Sequence, residues 1–276
     1  MDALQSHAIF DLLKHYDAPA ASREQLERVH AATYLDSLEA RRPAEGFERI
    51  DPDTCMSAGT LTAATHAAGA AVLATDLVLD GEVENAFCCV RPPGHHAGPD
   101  FAMGFCFFNS VAVAAAHALA RGVERVAILD FDVHHGNGTE AIFENDERVL
   151  LCSAFQHPFY PFTGSESEPG HIVNVPLAAG TAGDGFRQAV DRHWTPAIER
   201  FSPDLIVVSA GFDGHALDPL AGLALTEDDY GWISERIVGF ADTCADGRVI
   251  SCLEGGYALH PLGVCVTRHI RTLARI

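Results

Sequence analysis

The chain has 276 residues, 48% of them hydrophobic, and a formal net charge of −20 at pH 7. Its 38 acidic against 18 basic side chains argue against nucleic acid or an anionic membrane surface as partner of the whole chain, and would tolerate a cationic substrate. This length and apolar content suit one large core, so a single domain over residues 1–276 is expected.

Eight cysteines, at 55, 88, 89, 106, 152, 244, 252 and 265, lie mostly inside apolar segments without a CxxC pair. They read as reduced, buried thiols. No signal peptide opens the chain and no apolar run reaches membrane-spanning length, which makes the cytoplasm the expected compartment.

In chain order, residues 3–15 carry apolar positions at helical spacing. A Pro/Ala/Ser turn at Ala18–Ser22 precedes a helical stretch near 28–40, and the polar segment 41–56 reads as a loop. Ser57 and Thr60 are candidate caps for an alanine-rich helix over 60–79. A regular rhythm follows: strand 86–90, a long loop, helix 109–121, strand 125–132, a short helix, strand 149–153. A loop over 154–171, a strand over 171–177, helix 183–200, strand 204–209, helix 226–241, strand 248–253 and a last helix complete the series. This alternation implies a mostly parallel sheet covered on both faces, which binds ligands at the carboxyl ends of its strands.

The polar oddities cluster after those strands. In Arg125–Thr139 (RVAILDFDVHHGNGT) an apolar strand is interrupted or followed by Asp130, Asp132, His134 and His135. A buried carboxylate costs several kcal/mol unless paired or bound to a cation. Asp132 and His134, two apart, project from one side of an extended chain and offer an oxygen and a nitrogen to a divalent metal. Asp213, in SAGFDGH, follows its strand in the same way. Two carboxylates and one imidazole leave a coordination position free, the pattern of a catalytic zinc. Alone, Asp213 is equally a turn residue.

The tandem His95–His96 in PPGHHA is a candidate acid–base pair: one imidazole takes a proton from metal-activated water while the other holds or donates one. Both can serve one site only if the loop is irregular, which Pro92, Pro93 and Gly94 permit. Asp130 is the candidate partner that orients one ring. Tyr257 in EGGYAL is placed to hydrogen-bond a developing oxyanion. Taken singly, an HH dipeptide is usually a solvated turn and such a tyrosine a packing residue. Among Phe105, Phe107, Phe108, Phe159, Tyr160 and Phe162, core packing is the simpler account for all but Phe105 and Tyr160, which would line a slot for a thin substrate.

RPPGHHA, GFCFFN, LDFDVHHGNGT, YPFTGS, SAGFDGHALDPLAGL and EGGYAL resemble, in order, the consecutive motifs of the zinc-dependent histone deacetylase family. The closest likeness is to its bacterial class II-type members, the histone deacetylase-like and acetylpolyamine amidohydrolases. The resemblance implies a three-layer α/β/α fold of the arginase/deacetylase type and removal of an acyl, chiefly acetyl, group from an N-acyl lysine or related amine. It implies Zn²⁺ on Asp132, His134 and Asp213, with His96 as general base and His95, paired with Asp130, acting electrostatically or as proton donor. Tyr257 would stabilise the tetrahedral intermediate, Phe105 and Tyr160 flank the channel, and Asp53 clamp the substrate at its rim. A structural K⁺ is implied near Asp130, Asp132, His134 and Ser153.

Three departures stand out. Asn137 replaces an aspartate that some members pair with the base histidine. Leu220 occupies the rim position of an acidic residue in the polyamine-selective relative, which argues against strict polyamine selectivity. The family's first strand and its HPE-like loop, ahead of the helix matching Ala3–His15, have no counterpart here. The expected sheet therefore lacks that strand, and association is invited without the oligomeric state being set. Two other readings compete: a di-manganese arginase-type enzyme, poorly matched by His95–His96 and Tyr257, and a zinc-retaining binding protein without turnover.

Overall fold

A computed structural model describes residues 2–165 and 170–276. The expected loop 154–171 therefore lies partly outside the described residues. The chain opens with α1 (Asp2–Ser6), a 3-10 turn at Phe10–Leu12, α2 (Arg23–Glu27) and α3 (Ala32–Ala40), then a small hairpin, β1 (Phe47–Arg49) and β2 (Cys55–Ser57). The main body follows as α4 (Thr60–Leu79), β3 (Asn85–Cys88), α5 (Ser110–Ala120), β4 (Val126–Asp130), α6 (Asn137–Phe143), β5 (Val149–Gln156) and β6 (Ile172–Leu177). It ends with α7 (Gly183–Phe201), β7 (Leu205–Ala210), α8 (Glu227–Cys244), β8 (Val249–Leu253) and α9 (Leu259–Ala274).

Six strands pair in the order β3-β8-β7-β4-β5-β6, every neighbour parallel. The central strands are apolar on both faces because helices cover both. Ala127 and Leu129 of β4 enter one core with α7, α8 and α9, while Val126 and Ile128 enter the other with α4 and α5. The same alternation runs through β5 and β7, which gives the three-layer α/β/α arrangement. Each fully buried aliphatic side chain contributes about 1.5–3 kcal/mol to this sandwich. Among the described residues, no strand pairs with the outer edge of β3.

Several local expectations change. Residues 3–15 are not one helix: Ser6 Oγ and His7 Nδ1 both bond the Ala3 carbonyl, and Ala8 turns to a φ of 55° before the 3-10 turn. The stretch 28–40 is broken before α3, where the extended Ala31 donates its N–H to Pro99 O (2.7 Å). Segment 41–56 contains the β1–β2 hairpin rather than loop alone. Gly59, not Ser57 or Thr60, is the N-cap of α4; Thr60 Oγ1 instead accepts the Ser57 N–H.

At 20 residues and a mean hydropathy of 1.3, α4 is long and apolar enough to cross a membrane by length and composition, contrary to the sequence expectation. Here it packs on α5 and β3 through a small-residue face including Ala64, Ala68 and Ala71. All eight cysteines are free, but Cys55 and Cys89 are exposed rather than buried.

Candidate active site

The strand order brings the carboxyl ends of β3, β8, β7 and β4 side by side. His95 and His96 follow β3, Tyr257 follows β8, Asp213 follows β7, and Asp130, Asp132 and His134 end or follow β4. Residues more than 120 positions apart in the chain meet there.

Asp132, His134 and Asp213 offer one ligand atom each within 4.8 Å of one another. His134 Nδ1 stands 3.1 Å from Asp132 Oδ1 and 3.2 Å from Asp213 Oδ2. The backbone aims these groups: Val133 N–H donates to Asp213 Oδ1 (3.0 Å), Gly255 N–H to Asp132 Oδ2 (2.8 Å). The buried Asp213 Oδ2 has no hydrogen-bond partner of good geometry. Burial raises the Asp213 carboxyl to about 6, with Asp132 adding to it. Burial alone would push His134 down, but the Asp132 and Asp213 carboxylates beside it carry it up to about 10. Two buried acids thus demand positive charge at this point, and the donor set fits a divalent cation. Gly211 and Gly255 make room: a Cβ would lie 2.1 Å from Asp132 Oδ2 at the first and 1.9 Å from Asp213 Oδ2 at the second.

Both tandem imidazoles point to this centre, with ring centroids 4.1 Å apart. His95 Nδ1 donates to Asp130 Oδ2 (3.0 Å), as the sequence suggested, and its Nε2 lies 3.7 Å from Asp132 Oδ1. Burial opposes protonation of His95, but Asp132, Asp130 and Glu254 outweigh it and hold its pKa well above the ordinary range. His96 is driven the other way, by burial first and then by the neighbouring His95 and His134. Its Nδ1 donates to Asn137 Oδ1 (2.8 Å), which leaves Nε2 unprotonated. The two adjacent imidazoles are thus pushed in opposite directions.

A cavity of about 170 Å³ is lined by His95, His96, Asp132, His134 and Tyr257, with Phe105, Phe159, Tyr160, Asp53 and Leu220 among its walls. Burial, with Asp213 and Asp132 nearby, keeps the Tyr257 phenol protonated as a donor. Asp53 Oδ1 accepts from Gly104 N–H (3.2 Å) and Thr54 Oγ1 (2.8 Å), anchoring the turn that carries Phe105. Leu220 is 42% exposed and puts no charge into the cavity. Ser153 and Ser209 flank Asp130 in register on β5 and β7, both with buried hydroxyls lacking hydrogen-bond partners.

The structure corrects the aromatic assignments. Phe159 is a wall residue, stacked on His134 at 5.5 Å and 23°, rather than core. Phe162 is 73% exposed, while Phe107 and Phe108 are buried as expected. His135 turns away, bonded to Thr163 Oγ1 (2.8 Å) and Glu140 Oε2 (3.0 Å). Sequence reasoning passed over Asp218, whose Oδ2 accepts from Tyr257 N–H (2.7 Å) and Ala258 N–H (3.1 Å). The one available signal was an aspartate before proline in a loop following a strand.

Comparison with known proteins agrees with this geometry. Residues 1–273 match the family described as "Histone deacetylase domain". The chain is 45% identical over 249 residues to the histone deacetylase-like amidohydrolase of Pseudomonas aeruginosa, covering 87% of this chain and 65% of that one. It is 42% identical over 270 residues to a probable deacetylase of Archaeoglobus fulgidus, covering 94% and 74%. The crystal structure of the HDA15 HD domain superposes with a TM-score of 0.94 at 34% identity, covering 99% of this chain and 78% of that one. With its parallel α/β sheet and strand-end cluster, the chain belongs to the histone deacetylase family.

Proposed function

We propose that the chain is a zinc-dependent deacylase that hydrolyses an N-acyl amide on a lysine or related amine. The observation that carries this reading is the packing of His95, bonded to Asp130, against His96, bonded to Asn137, beside Asp132, His134 and Asp213. These three residues would hold Zn²⁺, which when bound supplies Lewis acidity and lowers the pKa of water.

The chain's own groups do the rest. His96 Nε2, freed by the bond from Nδ1 to Asn137, accepts the proton of the attacking water. His95, charged and locked by Asp130, offsets the negative charge that develops and is the nearest proton source for the departing amine. The Tyr257 phenol donates to the oxyanion. Phe105, Phe159 and Tyr160 exclude water from the alkyl chain, and Asp53 at the rim accepts from the substrate backbone. Ser153, with Asp130, Asp132 and His134, forms a proposed structural K⁺ site; the orphaned Ser153 hydroxyl supports it. A di-manganese alternative is disfavoured because a second metal needs several further carboxylates, and His95–His96 and Tyr257 do not fit such a site.

The test is turnover of a fluorogenic acetyl-lysine peptide by zinc-loaded protein beside Tyr257→Phe and Asp213→Ala. Tyr257→Phe is expected to lower kcat by about 10²–10³-fold, and Asp213→Ala to lose both zinc and activity. Stoichiometric zinc without turnover of any acyl-lysine or acyl-amine would make the chain a binding protein.

A further inference from the structure

We infer that Glu254 is a positioning residue for the tandem histidines, acting through one carboxylate oxygen as a fixed acceptor for the turn that carries them. The inference concerns the geometry of the site and rests on the deacylase reading only for its activity readout.

Three consecutive residues after β8 tie together the loops that follow the other central strands. Glu254 N–H donates to Ala210 O (3.0 Å) at the end of β7, and Gly255 O accepts from Phe212 N–H (2.9 Å) just after it. Gly255 N–H reaches Asp132 after β4, and Arg91 Nη2, after β3, donates to Gly256 O (2.9 Å). The Glu254 side chain makes the remaining link: its Oε2 accepts from Gly94 N–H (2.6 Å) and His95 N–H (3.2 Å).

This carboxylate is 0% exposed. Burying it is strongly unfavourable unless it is paired, so its place needs a role in the fold or the site. Two successive N–H groups aimed at one oxygen fix the two peptide planes that lead into His95, and with them the start of the turn that carries His96. Ala97 N–H donates to Gly94 O (2.9 Å), so His95 and His96 are the central residues of a tight turn and their rings lie 4.1 Å apart instead of pointing apart as they would in an extended chain. The turn is held from both sides: a Cβ on Gly94 would sit 2.7 Å from Ser110 N and 2.8 Å from Phe108 O, so the backbone lies flush against the start of α5. Glu254 closes the other side.

The experiment compares zinc-loaded wild type, Glu254→Gln and Glu254→Asp. Gln keeps an oxygen at the same reach without the charge; Asp keeps the charge and withdraws it by one methylene. Glu254→Gln is expected to lower kcat only a few-fold, through loss of the smallest of the three charges that face His95, and Glu254→Asp to lower it about 10- to 100-fold with KM nearly unchanged and zinc stoichiometry intact. Hydrogen exchange gives the second readout: the Gly94 and His95 amides lose protection in Glu254→Asp and keep it in Glu254→Gln. An active Asp variant with both amides protected overturns the proposal. So does a Gln variant as impaired as Asp, because charge rather than acceptor position would then matter. If wild type itself turns over no acyl substrate, the deacylase reading fails separately and the amide exchange alone decides the role of Glu254.

Discussion

The Nδ1 of His96 donates to Asn137 Oδ1 across 2.8 Å, a bond to a neutral amide where a carboxylate would fit equally well. A carboxylate there would favour the imidazolium, against the burial and the neighbouring His95 and His134 that now disfavour it. Asn137→Asp should therefore move the acid limb of the kcat/KM–pH profile to higher pH by about one unit or more. An unmoved limb would show that His96 is not the group reporting on that profile.

Asp218 holds the Tyr257 phenol indirectly, through the Tyr257 and Ala258 amides, while its other oxygen accepts from Leu220 N–H (3.0 Å). Asp218→Ala should lower kcat by about 10- to 100-fold, since a small misplacement of a group aimed at the oxyanion is costly. Zinc content should stay at the wild-type level. Steady-state kinetics beside metal analysis separates this outcome from general loss of the site.

Gly255→Ala places a methyl group into space held by the Asp213 and Asp132 carboxylates, 1.9 and 2.6 Å from their oxygens. The acids must move or the strand end must. We expect zinc affinity to fall by at least about tenfold, read by competition with a chromophoric chelator. Wild-type affinity would mean that the β8 turn yields more easily than its bonds to Asp132 and Phe212 suggest.

Two buried histidines outside the ligand set put an acid limit on stability. Burial pushes His269, which lies between Ser234 Oγ and Ser251 Oγ, down to about 3; it pushes His30, bonded to Gly98 O, down to about 4. Between those values and the ordinary 6.5 the unfolded chain binds the protons and the native chain does not. Stability contributed by their neutrality is thus complete above about 6.5 and falls as pH falls, by about 1.4 kcal/mol per unit for each ring. In urea titrations across that range, His269→Gln should reduce the slope by about one proton. Equal slopes would refute the assignment.

The parallel sheet was legible because β4, β5 and β7 are apolar on both faces and each is followed by a helical pattern. The cluster of Asp132, His134 and Asp213 was legible because burying polar ligands at strand ends breaks that pattern conspicuously. Phe159 was not: nothing in PFYPF distinguishes a ring stacked on His134 from one in the core. Asp218 and Glu254 escaped for another reason. Their partners, Tyr257 and Gly94–His95, are neighbours only across the sheet, and strand order is not written in local periodicity. The break after Ser6, where its hydroxyl bonds the Ala3 carbonyl, and the three-residue strands of the β1–β2 hairpin are too short for periodicity to reveal.

β8 is the last strand of the described chain, yet it sits between β3 and β7. During synthesis, the three metal-capable side chains and both histidines emerge before the strand that wedges their loops apart exists. Until residues 249–253 slot into that gap, Asp132 lacks its Gly255 donor and the histidine turn lacks its Glu254 anchor. On the proposed reading, the site is assembled only when β8 and the residues just after it are in place, although every ligand precedes them in the chain.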